Sequence, residues 1–169
     1  MSPPRLALVA LLLLAACGPA VQVANPVNAS GAPLSTRSSC QPTDQDQFVY
    51  RPSRLQLIAA CVRITGTVVS SSAESDGDVH INVRLDPPYE ALLTKANLTE
   101  QGYLIVEPVC RFPPLQAEAI RVCASDGDPI AGDLPAVGAH VFMEGRYVLD
   151  LQHGGWSELH PLYRWGATP

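Results

Sequence analysis

Phenylalanine, tryptophan and methionine are scarce in this chain, whose 169 residues include only three Phe, two Trp and two Met. Proline and glycine are plentiful, with 16 and 12 residues, and both interrupt regular structure with turns. This composition favours short elements over long packed helices. Because 47% of the residues are hydrophobic and 16% are charged, disorder throughout the chain is excluded. We therefore predict a mainly β, globular protein.

The sequence has no excess of basic charge. The formal net charge is −5, and without residues 1–16, whose single charged side chain is Arg5, ten basic residues face sixteen acidic ones and the net charge becomes −6. The arginines are scattered singly, whereas a surface that follows a phosphate backbone needs clustered basic residues. Nucleic acid is therefore disfavoured as a partner, and the acidic balance is explained by solubility.

The apolar run near the N-terminus is too short to span a bilayer. It covers eleven residues, 6–16, whereas a membrane-spanning helix needs about 20. Arg5 precedes it and "LAAC" ends it at Cys17. This pattern resembles the bacterial lipoprotein signal peptide with its lipobox. The resemblance implies that residues 1–16 are a cleaved signal peptide, that Cys17 is acylated, and that the protein is extracytoplasmic and anchored to a bacterial membrane. The residue after the acylated cysteine is Gly18, which is compatible with anchoring to either the inner or the outer membrane.

Residues 17–39 contain little that could fold. After Cys17 they hold a single charged residue, Arg37, among Ala, Ser, Pro, Asn and Gly, without periodicity. A flexible chain of this length has an r.m.s. span of roughly 25 Å. We predict a lipid-anchored linker over residues 17–39 and a folded domain over residues 40–169.

Four cysteines remain once Cys17 is assigned to lipid. An even number in an oxidising compartment predicts two disulfides, and we expect Cys40–Cys61 and Cys110–Cys123. The second would close a loop worth about 3 kcal/mol in the chain-entropy model. A zinc site of thiolates is disfavoured because the sequence has no CxxC pair.

Alternating β-branched segments predict five strands, at residues 61–71, 79–85, 102–109, 139–151 and 156–165. Residues 89–100 look partly helical, and "LQAEAIRV" behind Pro113 and Pro114 predicts a helix between strands three and four. This order is that of an OB-fold-like barrel of five strands. Gly66 and Gly145 fit positions where such strands bend sharply.

The blocks "CVRITGTVV", "DGDVHINVRLD", "VGAHVFMEGRYVLDLQHGGW" and "ELHP" together resemble an uncharacterised family of secreted bacterial OB-fold-like proteins with DGDxH and HGGWxEIHP-type motifs. The resemblance covers roughly residues 54–165. Leu159 stands where the family pattern has Ile, a neutral change. The resemblance implies fold and location, and it implies no activity.

Polar side chains alternate with apolar ones on two of the predicted strands. Trp156, Glu158 and His160 share one face of the last strand, and His80 lies on the polar face of the second. We expect the first strand to lie between the second and the fifth, which would bring these faces onto neighbouring parts of one surface.

Two interpretations of this surface remain open. In the simpler one, His80, Glu158 and His160 hydrogen-bond across the sheet under Trp156. In the other, they bind a divalent metal ion, with Asp78 or His153 as a further ligand.

Neighbouring motifs have structural explanations. Asp150 and His153 are expected to clamp the turn before the last strand. The two "SDGD" segments, at Ser75 and Ser125, are interpreted as turns, because neither continues into a calcium-binding loop. The "NLT" sequon at Asn97 is disregarded in a bacterial protein.

No catalytic residue is assigned. Ser157 lies in no GxSxG motif, and no free cysteine remains if both disulfides form. We therefore expect a non-enzymatic binding or scaffold module of the cell envelope, without a cofactor, whose partner is a glycan or an envelope protein. The alternative is a metal-dependent hydrolase with a divalent ion at the His/Glu site.

Overall fold

The computed structural model describes residues 45–126 and 132–168, and this part of the chain is mainly β. Its five strands are β1 Leu55–Ala73, β2 Val79–Leu85, β3 Leu104–Val106, β4 His140–Asp150 and β5 Trp156–Ala167. Its two α-helices are α1 Lys95–Glu100, before β3, and α2 Ala117–Asp126, between β3 and β4. Three short 3-10 helices cover Gln45–Phe48, Pro52–Arg54 and Pro87–Leu92.

The strands form a ring in which each is hydrogen-bonded to two neighbours, in the order β1-β2-β3-β5-β4 and back to β1. All pairs are antiparallel except β3 and β5, which are parallel.

The expectation that the first strand lies between the second and the fifth is therefore wrong. Strand β1 is 19 residues long, and its first part, Leu55 to Thr67, pairs with β4 while its second part, Gly66 to Ala73, pairs with β2. Both edges of β1 are occupied, and β3 is the strand between β2 and β5.

Strand β1 changes pairing partner at Gly66, where its backbone lies very close to that of strand β2. A Cβ atom at this position would lie 2.4 Å from the carbonyl oxygen of Arg84. At Gly145, where the β4–β5 register shifts, a Cβ atom would lie 2.7 Å from the carbonyl oxygen of Pro161. Glycine is thus required at both positions by backbone proximity.

The core lies inside the ring and is built from alternate positions of the strands. Strand β2 shows the pattern most simply, since Val79, Ile81, Val83 and Leu85 are buried and the residues between them are not. The largest fully buried apolar side chains are Ile64, Ile81, Leu104, Met143, Leu159 and Leu162.

The predicted disulfide Cys110–Cys123 is confirmed, with an S–S distance of 2.08 Å. It joins the segment after β3 to helix α2. The predicted partner of Cys61, Cys40, lies outside the described residues, as do Cys17 and the predicted signal peptide and linker. Within residues 45–126 and 132–168, no helix has the length and apolar character that a bilayer span requires.

Candidate functional site

Charged side chains meet on the outer side of β5, where they are covered by other parts of the chain. Glu158 and His160 alternate with the core residue Leu159 and so point away from the core, yet both are 0% exposed. We call the group they belong to the buried polar cluster. Its members are all at most 8% exposed: Arg54, Asp78, Glu107, Asp150, Glu158 and His160.

Glu107 is placed in the cluster by the parallel pairing of β3 and β5. The chain continues beside β5 after β3 ends, because the Glu107 N–H donates to the Leu159 carbonyl (2.9 Å) and the Leu162 N–H donates to the Glu107 carbonyl (2.9 Å). The Glu107 side chain therefore lies beside His160. Glu107 carries no local sequence signal, since only the strand order reveals its neighbours.

His160 is held by two carboxylates at one ring nitrogen. Its Nδ1 lies 2.6 Å from Glu107 Oε2 and 3.2 Å from Glu158 Oε2. Burial alone would lower the pKa of His160, but Glu107 and Glu158 outweigh it and raise the pKa to about 10. Burial opposes the ionisation of Glu107, but His160 and Arg54 lower its pKa to about 2. The two groups form a buried ion pair.

Glu107 also connects His160 to His80, the histidine predicted on β2. His80 Nδ1 lies 3.6 Å from Glu107 Oε1, and the His80 ring meets Trp156 edge-on, with centroids 5.8 Å apart. The structure thus brings His80 to the same cluster through Glu107.

Glu158 is bound from its other side by Trp156, whose indole Nε1–H donates to Oε1. Burial, followed by the charge of Glu107, raises the pKa of Glu158. Trp156 stacks on the imidazole of His153, with ring centroids 4.3 Å apart.

Asp150 connects the cluster to the turn before β5. Its Oδ1 accepts hydrogen bonds from the backbone N–H groups of Gln152 (2.7 Å) and His153 (3.2 Å), and its Oδ2 lies 3.0 Å from His153 Nδ1. The predicted clamp is therefore present. Asp150 is also ion-paired with Arg54, a residue of the 3-10 helix before β1 that no sequence pattern marks as part of this site.

The first "SDGD" segment does more than turn the chain. Asp78 Oδ1 accepts from the Cys110 N–H at 2.7 Å, and its Oδ2 lies 3.9 Å from His160 Nε2. Burial raises the pKa of Asp78 to about 7. The second "SDGD" segment extends beyond the described residues.

A cleft of about 200 Å³ opens beside the cluster, on the outer side of β2 and β3. Its lining is mainly aromatic, amide and imidazole, with one carboxylate and one aliphatic side chain: His80, Asn82, Asn97, Glu100, Gln101, Tyr103, Ile105 and Trp156. A second hollow nearby is lined by Lys95, Thr99 and His153.

Helix α1 forms one wall of the cleft and is fixed to β5 by Asn97. This side chain is 1% exposed. Its Oδ1 accepts from the Ser157 N–H (2.8 Å), and its Nδ2 donates to the carbonyls of Ser157 and Tyr103 (both 3.0 Å). With Thr94 it also forms the capping box of α1. The residue of the disregarded sequon is thus a buried link between the helix and the sheet.

No family model matches the chain, and neither a curated protein nor a solved structure matches it significantly.

Proposed function

We propose that the protein is a lipid-anchored, non-enzymatic binding module of the bacterial cell envelope that binds a glycan in the cleft on β2 and β3. The observation that carries this proposal is the position and lining of the cleft. Sugar rings are bound by aromatic side chains together with planar polar ones, and the cleft offers Trp156 and Tyr103 beside Asn82 and Gln101.

The strand arrangement supports an OB-fold. The order β1-β2-β3-β5-β4 with β3 parallel to β5 is that of a five-stranded OB barrel, and such barrels bind oligosaccharides and oligonucleotides on the face of strands two and three. The net charge of −5 disfavours an oligonucleotide, because a phosphate backbone needs basic contacts.

The location is supported by the N-terminal sequence and by the disulfide. Acylation of Cys17 would anchor the chain stably, at about 0.8 kcal/mol per buried methylene, and residues 17–39 would hold the domain away from the lipid headgroups. The Cys110–Cys123 disulfide is compatible with an oxidising, extracytoplasmic compartment.

A hydrolase that uses His80, Glu158 and His160 has less support. Glu158 and His160 are each 0% exposed, so a substrate could not reach them without opening the domain. The cleft beside them is accessible, and binding there needs no such change.

Co-sedimentation with purified peptidoglycan sacculi tests the glycan proposal. We expect the wild-type domain to bind and Tyr103→Ala to bind at least about tenfold more weakly. Tyr103 is preferred to Trp156 because the indole also supports Glu158. Phe112→Ala is the matched control, since Phe112 is an exposed aromatic residue outside the cleft. Wild type that stays in the supernatant, or equal binding by Tyr103→Ala, would contradict the proposal.

Cell fractionation tests the anchor. We expect Cys17→Ala to move the protein from the membrane fraction to the soluble fraction. Membrane association that persists in this variant, with residues 1–16 shown to be removed, would count against lipid anchoring.

A further inference from the structure

The buried polar cluster contains more acidic groups than permanent cations. Its carboxyl groups are those of Asp78, Glu107, Asp150 and Glu158, whereas its one arginine is Arg54, and all five are at most 8% exposed. Unpaired charge is costly in a buried position. Further positive charge must therefore enter the cluster, either as protons or as a metal ion.

His160 is arranged like a histidine that binds a metal. One ring nitrogen, Nδ1, is held by the Glu107 carboxylate at 2.6 Å. The other, Nε2, is buried and has no hydrogen-bond partner among the described residues. Metal-binding histidines characteristically donate one ring N–H to a carboxylate, which orients the ring and leaves the second nitrogen for the ion.

The unpartnered Nε2 of His160 lies near a carboxylate oxygen, at a separation close to that of two ligands of one ion. His160 Nε2 and Asp78 Oδ2 are 3.9 Å apart, which is too long for a hydrogen bond. Two ligands that bind zinc at about 2.0–2.1 Å in tetrahedral geometry lie about 3.4 Å from each other. An approach of about half an ångström would bring the pair to this spacing.

We propose that His160 Nε2 and the Asp78 carboxylate bind a divalent transition-metal ion, which displaces the Nε2 proton of the imidazolium to solvent, and that Glu107 positions the ring through Nδ1. Asp78 and His160 supply the ligands from the protein, and the Glu107 carboxylate lies within 4.8 Å of both groups, so its negative charge compensates part of the charge of the ion. A site that includes imidazole prefers zinc or a similar transition ion to magnesium or calcium.

The ion would have a structural role that is separate from glycan binding. Asp78 belongs to the turn between β1 and β2 and accepts a hydrogen bond from the Cys110 N–H, whereas His160 belongs to β5. A shared ion would fasten the β1–β2 turn and the disulfide-linked segment to the last strand.

Equilibrium dialysis of the full chain, purified in detergent and stripped with EDTA, tests the proposal with zinc chloride as the probe. We expect about one zinc per chain and at least about tenfold weaker binding by His160→Gln and by Asp78→Asn. His140→Gln is the control, because His140 is an exposed histidine paired with a different carboxylate, Asp86. Zinc binding by His160→Gln equal to that of the wild type would overturn the proposal, as would a wild type that retains no zinc.

A measurement on the wild type alone covers the case in which these variants do not fold. In protein labelled with ¹⁵N-histidine, saturating zinc should shift the Nε2 resonance of His160 and leave that of His140 unchanged. An unchanged His160 Nε2 resonance would overturn the metal site. Sacculus binding by the zinc-free protein is a separate readout, so the two proposals can fail independently.

Discussion

Removal of the Arg54 guanidinium is expected to be the most damaging single change in the buried polar cluster. Arg54 is 8% exposed, is ion-paired with Asp150, and has its Nη2 4.0 Å from Glu107 Oε2. In Arg54→Met, an apolar side chain of similar length replaces the cation, and both carboxylates lose their compensating charge.

The expected cost follows from burial. When one partner of a buried ion pair is removed, the remaining charge is left uncompensated at a cost of about 3–5 kcal/mol. For a domain of this size, that loss corresponds to a decrease in Tm of roughly 10–20 °C. Asp150→Asn in the same chain should restore part of the loss, because the amide that replaces the carboxylate is neutral and can still accept the turn hydrogen bonds through its oxygen.

Arg51→Met is the matched control. Arg51 lies three residues away and contacts the same Tyr50 ring, but its ion pair with Glu118 is at the surface, with side chains 49% and 54% exposed. Exposed pairs of this kind contribute little to stability, because solvent and salt screen them. Urea denaturation of five proteins, namely wild type, Arg54→Met, Asp150→Asn, the double variant and Arg51→Met, gives the free energies of unfolding. Equal losses from the two arginine variants, or a double variant in which the two losses simply add, would refute this account of the cluster.

Three further changes have defined outcomes. In EDTA-treated protein, the folded state raises the pKa of His160 from its ordinary 6.5 to about 10. Protonated His160 therefore stabilises the fold fully below pH 6.5, and this contribution is lost as the pH rises to 10. Urea denaturation should show a loss on the order of 3–5 kcal/mol over this range for the wild type and no such loss for His160→Gln. Asn97→Ala should cost about 3 kcal/mol, because buried groups of Ser157 lose their partners, whereas the half-buried Asn82→Ala should cost less than about 1 kcal/mol; similar losses would contradict the anchoring role of Asn97. Cys110→Ser with Cys123→Ser should cost about 3 kcal/mol, and a thermal denaturation midpoint equal to that of the wild type would show that the disulfide contributes little.

Local periodicity is sufficient to predict the bounds of strands whose apolar and polar residues alternate strictly. The prediction of residues 79–85 coincides with β2, and the prediction that the last strand starts at Trp156 is correct. Periodicity does not predict the length of a strand where the length depends on which distant strand is available to pair with it. Strand β1 begins at Leu55, six residues before the predicted start, because β4 supplies a partner for the additional residues. Strand β3 is shorter than predicted, with three residues paired to β2.

The buried polar cluster could be predicted only in part, because it also depends on which distant strands pair. Spacing along β5 placed Glu158 and His160 on one face, since that relation lies within a single strand. Glu107 comes from the segment after β3 and Arg54 from the 3-10 helix before β1, and only the pairing of distant strands brings both into the cluster. No local pattern marks a residue whose neighbours are about 50 to 100 positions away in the chain.

The central claim, that the cleft on β2 and β3 is a glycan-binding site, is tested most directly by NMR. A soluble disaccharide fragment of peptidoglycan would be titrated into ¹⁵N-labelled protein. We predict saturable shifts confined to the amides of Asn82, Gln101 and Tyr103 and to the Trp156 indole. An unchanged spectrum at millimolar ligand, or shifts centred on Phe112 and helix α2, would contradict the claim.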